Sequence, residues 1–260
     1  MNILDKIDSF HFDDIKNEIH PSVFFTHEDY DLFILRTPHT SVENKLEYLS
    51  LAFIITNSSY YYYNKEKKSL IDLKDSTGFY KFIDKYIDNT LKTINNYWSE
   101  IEIIEDNIYE GKSIKEFNKQ WYIYKSDLIR INRVLNKAIE ALTLLMRVYK
   151  KEDDYLERNF EDLFEHTSRA HRNGEHLLEK LDSIYNFHLN QTNEQMNRIV
   201  YILTLLSGIF LPLNLIVGFF GMNTTSLPFT QGNGGTFNVI FLLIISGILA
   251  SLITFFMRKR

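Results

Sequence analysis

From Ile199 to Met257 the sequence contains no Asp, Glu, Lys, Arg or His. Two runs dominate that tract: Ile199 to Phe220, 22 residues, and Phe237 to Phe256, 20 residues. About 20 apolar residues rising 1.5 Å each cross a hydrocarbon layer of about 30 Å. Two such runs only sixteen residues apart are hard to house in a soluble core. The expected membrane unit is therefore 199–260, with a first span at 199–220, a connecting loop at 221–236, a second span at 237–257 and a tail at 258–260.

Lys and Arg mark the cytoplasmic side of a span. Arg198 precedes the first run, Arg258-Lys259-Arg260 follow the second, and the loop GMNTTSLPFTQGNGGT carries no charge. Both termini are expected in the cytoplasm and the loop outside, in an inner (plasma) membrane with lipid around both spans. All 34 acidic residues lie before the tract. An acidic soluble part suits cations and argues against nucleic acid as a partner. With no cysteine, disulfides, thiolate metal sites and cysteine nucleophiles are excluded. The opening MNILDKIDSFHFDD is acidic and does not read as a signal peptide.

The soluble part reads as two regions. Residues 1–75 hold Val23-Phe24-Phe25, Asp31 to Arg36, Leu49 to Ile55 and Ser59 to Tyr63, rich in aromatic and branched side chains, with Asn57-Ser58 as a hairpin turn. They predict a small α/β domain. Residues 76–198 predict helices and a stalk, because no proline falls between 39 and 211. One helix is expected from Gly78 to Tyr109. A second is expected from Ser113, with Glu116 completing a capping box. Its seam of Phe117, Trp121, Tyr124, Leu128, Ile131, Leu135, Ala138, Leu142, Leu145 and Tyr149 steps by four and three, as in helix-on-helix packing. A third is expected from near Asp154, through Leu156, Phe160, Leu163, Ala170, Leu177, Leu181, Ile184, Leu189 and Met196, directly into the first span. Gly174 is its one breaker, at about 1 kcal/mol. The fold class expected is an α+β cytoplasmic domain with a long helical stalk and two C-terminal transmembrane helices, mostly α.

Polar residues recur inside the first span at helical spacing: Asn197, Thr204, Ser207, Asn214 and Gly218. Such a stripe turns either toward a water-filled path or toward a neighbouring helix as packing glue. The two amides favour the path, since they are the costlier groups to leave against hydrocarbon. Val200, Leu203 and Leu211 lie along the same side and would form a constriction that gates by dewetting. One pair of spans cannot enclose a pore, so a path requires a homo-oligomer.

The segment NEQMNRIVYILTLLSGIFLPLNLIVGFFGMN, Asn193 to Asn223, resembles the CorA family of divalent metal ion transporters, whose first span ends in Gly-Met-Asn and whose second is C-terminal. Pro212 stands at the family spacing, and a weaker likeness continues upstream through Asp162-Leu163-Phe164-Glu165-His166-Thr167. The resemblance implies a homopentameric channel for Mg²⁺, with Co²⁺ or Ni²⁺ tolerated, driven by membrane potential and gated by cytoplasmic divalent cation. It implies no resident cofactor and no enzyme activity. The selectivity ring would fall on Gly221, Met222 and Asn223, and a polar ring at the inner end on Asn197. Leu203 and Thr204 fall where the family lines its pore. Asp162 aligns with an acid that binds regulatory Mg²⁺ between protomers, while its partner acid has no counterpart by alignment. The stretch Asp5, Asp8, Asp13, Asp14 and Glu18 reads as a solvated face.

Where magnesium-transporting members continue with Met-Pro-Glu-Leu, this sequence reads Leu227-Pro228-Phe229, without the acid. Two alternatives stay open: a zinc transporter of the same superfamily, and a non-conducting, membrane-anchored oligomeric sensor or scaffold. His166, His171 and His176 advance by steps of five, share no helix face and read as polar helix surface.

Overall fold

The computed structural model describes the chain apart from residues 1–2, 42, 44, 57–58, 113–115, 151–155, 223–226, 229–234 and 259–260. It divides into two compact units, Met1–Asn186 and Phe187–Arg260.

The first unit is built on an antiparallel meander, β1 (Val23–Thr26), β2 (Asp31–Thr40), β3 (Leu46–Thr56), β4 (Ser59–Asn64) and β5 (Ser69–Asp72), ordered as in the sequence. Side chains alternate across a sheet with period two. Phe33, Leu35, Leu51, Phe53 and Ile55 face one way, into a core shared with helices; Leu32, Ile34, Ala52 and Ile54 face the other way, into a second core. Both faces are covered, so β2 and β3 read as continuous apolar runs instead of an alternation. Helix α1 (Ser9–Lys16) supplies Phe12 and Ile15 to the second core, and Asp8 caps it by accepting from the Phe10 N–H. The register Thr56↔Ser59 joins β3 to β4 where the hairpin was expected; Asn57 and Ser58 lie outside the described residues. β1 pairs with β2 only as far as Ile34, so the outer edge of β2 is unpaired by β1 beyond that point, and Pro38 is tolerated there.

Three long helices complete the unit. α2 (Ser76–Tyr109) starts two residues before the expected Gly78, capped by Asp75, whose carboxylate accepts from the Gly78 N–H. α3 (Phe117–Tyr149) buries Phe117, Leu128, Ile131, Leu135, Ala138, Leu142 and Leu145 of the expected seam; Trp121, Tyr124 and Tyr149 are half-buried. The capping box is not formed as expected. Glu116 stands at the N-cap position with φ +58°, makes no capping bond with its side chain, and pairs with Lys119 at 3.1 Å; Ser113 lies outside the described residues. α4 is described from Glu157, the expected Asp154 start lying outside the described residues, and it runs unbroken to Phe220 over 64 residues. Phe160, Leu163, Ala170, Leu177, Leu181 and Ile184 bury along its first half.

In the second unit the rest of α4 is followed by α5 (Gly235–Arg258). Both are long and apolar enough to span a membrane, and almost none of the residues in their apolar windows is fully buried within the chain. A soluble core helix would show the opposite.

Candidate ion path and metal site

Half-burial along the second part of α4 falls on Leu205, Ile209, Leu213, Ile216 and Phe220. Their spacing defines one stripe at about 100° per residue. The opposing half-buried residues of α5 are Val239, Leu243, Ser246, Gly247 and Ala250. A Cβ on Gly247 would lie 3.9 Å from Leu213 Cδ2, so the small residues of α5 bring the two backbones close.

Asn197, Val200, Leu203, Thr204, Ser207, Leu211, Asn214 and Gly218 are all exposed in the single chain. On the helical wheel their centre lies about 180° from the α5-facing stripe. The helix therefore has two differentiated faces: an apolar one covered by α5, and one mixing amides, hydroxyls and branched residues that nothing among the described residues covers. The Thr204 hydroxyl donates to the Val200 carbonyl at 2.8 Å. Pro212 supplies no N–H, so the Gly208 carbonyl loses its usual donor four residues on.

At the end of α4 the Gly221 N–H donates to the Val217 carbonyl at 2.8 Å. A Cβ at Gly221 would meet that same oxygen at 2.9 Å, too close for any real side chain, so only glycine closes the helix this tightly. Met222 follows and is exposed. Asn223, the third residue of the expected selectivity ring, lies outside the described residues.

In the first unit, Asp162 and His166 sit one turn apart on α4, with His166 Nε2 3.4 Å from Asp162 Oδ1. Asp84 of α2 joins them: one ligand atom from each of the three lies within 4.8 Å of the others. Burial pushes the Asp84 carboxyl above its ordinary range, and the charges of Asp88 and Asp162 add to this while His166 opposes it. Burial also raises the Tyr80 hydroxyl, helped by Asp84. Mutually repelling carboxylates beside an imidazole form a donor set that a divalent cation relieves, and oxygen-rich ligation suits a hard ion. His166 Nδ1 is buried without a hydrogen-bond partner among the described residues.

Sequence reading singled out Asp162 and missed both partners. Asp84 shows no motif; its one signal is an acid at a half-buried position of a helix, with Asp88 a turn on. Reading His166 as plain helix surface needs correction, because a nitrogen of its half-buried ring lies within 4.8 Å of carboxylates on two helices. His171 and His176 do stay apart from the cluster, next to Glu175 at 3.6 Å and Glu179 at 3.7 Å. Of the N-terminal acids, Asp8 caps α1 and Asp14 pairs with His20 at 3.3 Å.

The family described as "CorA-like Mg2+ transporter protein" matches residues 5–260. The cobalt/magnesium transport protein CorA of Thermotoga maritima is 23% identical over 186 residues, covering 70% of this chain and 51% of that protein. The chain thus spans about half the length of that relative. The protein of the same description from Methanocaldococcus jannaschii is 26% identical over 238 residues, covering 84% of this chain and 73% of that protein. The solved structure of the complete CorA magnesium transporter from M. jannaschii superposes with a TM-score of 0.78 at 21% identity, covering 96% of this chain and 84% of that one. It shares the N-terminal α/β domain, the long helical stalk and the C-terminal helices.

Proposed function

The chain belongs to the CorA-like Mg²⁺ transporter family, and on that premise we propose that it assembles as a homopentamer whose α4 helices surround a path for a hydrated divalent cation. Mg²⁺ is the favoured ion, with Co²⁺ and Ni²⁺ tolerated. The family is one of transporters, not enzymes. The observation that carries the reading is the two-faced α4: α5 covers the apolar side and leaves the polar stripe for a shared interior. Small residues on α5 fit an outer helix packed against each pore helix.

The ion chemistry follows from the donor types. Mg²⁺ gives up water reluctantly. Asn223 amides in a ring, with the Gly221 and Met222 backbone behind them, would accept hydrogen bonds from the water shell without stripping it. Thr204, Ser207 and Asn214 would continue that wet contact, and Val200, Leu203 and Leu211 would narrow it to a gate. The spans carry no carboxylate, imidazole or thiolate, which disfavours Zn²⁺ as cargo. With both termini cytoplasmic, the inside-negative potential supplies about 2.3 kcal/mol per charge per 100 mV, twice that for a divalent ion. Asp84, Asp162 and His166 would hold a regulatory divalent cation in the cytoplasmic unit.

Reconstitution into liposomes containing a Mg²⁺-sensitive dye tests the proposal. Potential-driven Mg²⁺ entry is expected, competed by Co²⁺ more strongly than by Zn²⁺. Asn223→Ala should abolish entry while the oligomer still elutes at wild-type size. No flux above empty vesicles would leave the non-conducting scaffold as the better reading, and dominant Zn²⁺ flux would leave the zinc transporter.

A further inference from the structure

A second polar site lies in the first unit, away from the metal cluster. A cleft of about 540 Å³ is lined by Lys45 and Leu46 at the β2–β3 end, Tyr97 and Glu100 of α2, and Gln120, Ile123, Tyr124 and Asp127 of α3. Its volume falls within the roughly 300–1,000 Å³ usual for small-molecule sites. The Tyr97 hydroxyl donates to Asp127 Oδ2 at 3.0 Å, and Tyr124 is hydrogen-bonded to Glu100. The two rings meet edge to face at 5.9 Å. Burial, reinforced by these carboxylates, pushes the Tyr124 hydroxyl up to about 12 and Tyr97 higher still, so both phenols stay protonated and act as donors. Each carboxylate is thereby fixed in place and keeps further acceptor positions. Lys45 does not neutralise the pair; its ammonium is held by Glu43 at 2.6 Å.

The lining decides what would enter. Two carboxylates repel anions. A bare Mg²⁺ demands near-octahedral oxygen ligation at about 2.1 Å, and a cleft this large, lined in part by aromatic rings and by Leu46 and Ile123, is a poor cage for it. An organic ammonium ion matches every component: its charge meets a carboxylate, its N–CH₂ edge lies on a tyrosine face, and its methylenes cover the apolar residues. Carboxylates on two separate helices ask for two charges on one flexible stem. We propose that this cleft binds a linear polyamine, a soluble cation distinct from both the transported ion and any cation at Asp84, Asp162 and His166. The site stands independently of the transport reading.

Equilibrium dialysis of labelled spermidine against the full-length chain in detergent, in physiological salt and saturating Mg²⁺, is the test. One saturable site per chain is expected. Glu100→Gln and Asp127→Asn should each weaken it about tenfold, the worth of one charge-assisted hydrogen bond. Ile123→Lys should do the same; Ile123 is already exposed, so the change does not threaten the fold. Glu179→Gln, at an exposed acid on α4, should leave binding unchanged. Absence of saturable binding, retention of wild-type affinity in all three cleft variants, or an equal loss in Glu179→Gln would overturn the proposal. So would loss of binding in Asp84→Asn, which would mean that spermidine was occupying the metal cluster.

Discussion

Gly174 of α4 and Asn132 of α3 occupy one another's space: a Cβ on Gly174 would lie 2.1 Å from Asn132 Oδ1. In isolation the glycine is a helix defect of about 1 kcal/mol, but here its missing side chain is what admits a buried amide. Gly174→Ala should therefore destabilise the protein despite better helix propensity, since overpacking costs about 1–3 kcal/mol. Thermal unfolding followed by circular dichroism should show a lower Tm, and Asn132→Ala in the same chain should restore most of it through their coupling. Asp84 gives a prediction of opposite sign. Its raised pKa means that, as pH climbs from the ordinary value of 3.8, the folded state keeps a proton that the unfolded state has released. Stability therefore falls across that window and stays reduced above it. In metal-free buffer at pH 7, Asp84→Asn should be the more stable protein, and the difference should vanish below about pH 4. Added Mg²⁺ should reverse the order, because binding at 100 times Kd stabilises the wild type by about 2.7 kcal/mol and the variant far less.

At the scale of elements, α4 works because its two faces differ, and the interface with α5 depends on small side chains. Gly247→Ala places a Cβ at ordinary contact distance from Leu213 Cδ2, 3.9 Å, so it should be neutral. Gly247→Leu should push the helices apart, reducing the recovered oligomer and the liposome flux together on size-exclusion and dye assays. The polar stripe, both spans and the α3 seam were legible in the sequence because long helices repeat their signal many times. The strand β5, Ser69-Leu70-Ile71-Asp72, was not, since four residues give no period and Lys67-Lys68 precede them. Helix α1 was hidden likewise: eight residues with only Phe12 and Ile15 turned inward look like an acidic stretch. The β2 extension past Pro38 went unread because proline argues against a strand until the unpaired edge beside it is known. Asp84 and the tyrosine cleft were invisible for a third reason: they depend on which helices become neighbours, and no local pattern encodes that.

At the scale of the whole molecule, charge is strongly asymmetric along the chain. The 29 basic residues less Arg258, Lys259 and Arg260 leave 26 before the spans, against 34 acidic residues, a balance of −8 there and none across 199–257. On the proposed topology, a neutral outer loop would concentrate no cations at the entrance, whereas the acidic part before the spans would attract them, and it carries the cluster of Asp84, Asp162 and His166. Asp162 and the polar stripe lie on a single helix, α4. On the proposed pentamer, a cation that draws Asp84 toward Asp162 and His166 would bias the helix that would line the path, and rising cytoplasmic Mg²⁺ would be a brake on its own entry. For proteoliposomes with the cytoplasmic side accessible, Mg²⁺ on that side should inhibit flux. Asp84→Asn or Asp162→Asn should raise the half-inhibitory concentration at least about tenfold, the scale of one lost charge-assisted contact, without lowering flux at trace Mg²⁺. Equal loss of flux at all Mg²⁺ levels would assign the cluster to folding. Unchanged inhibition in both variants would place the sensor elsewhere on the acidic unit.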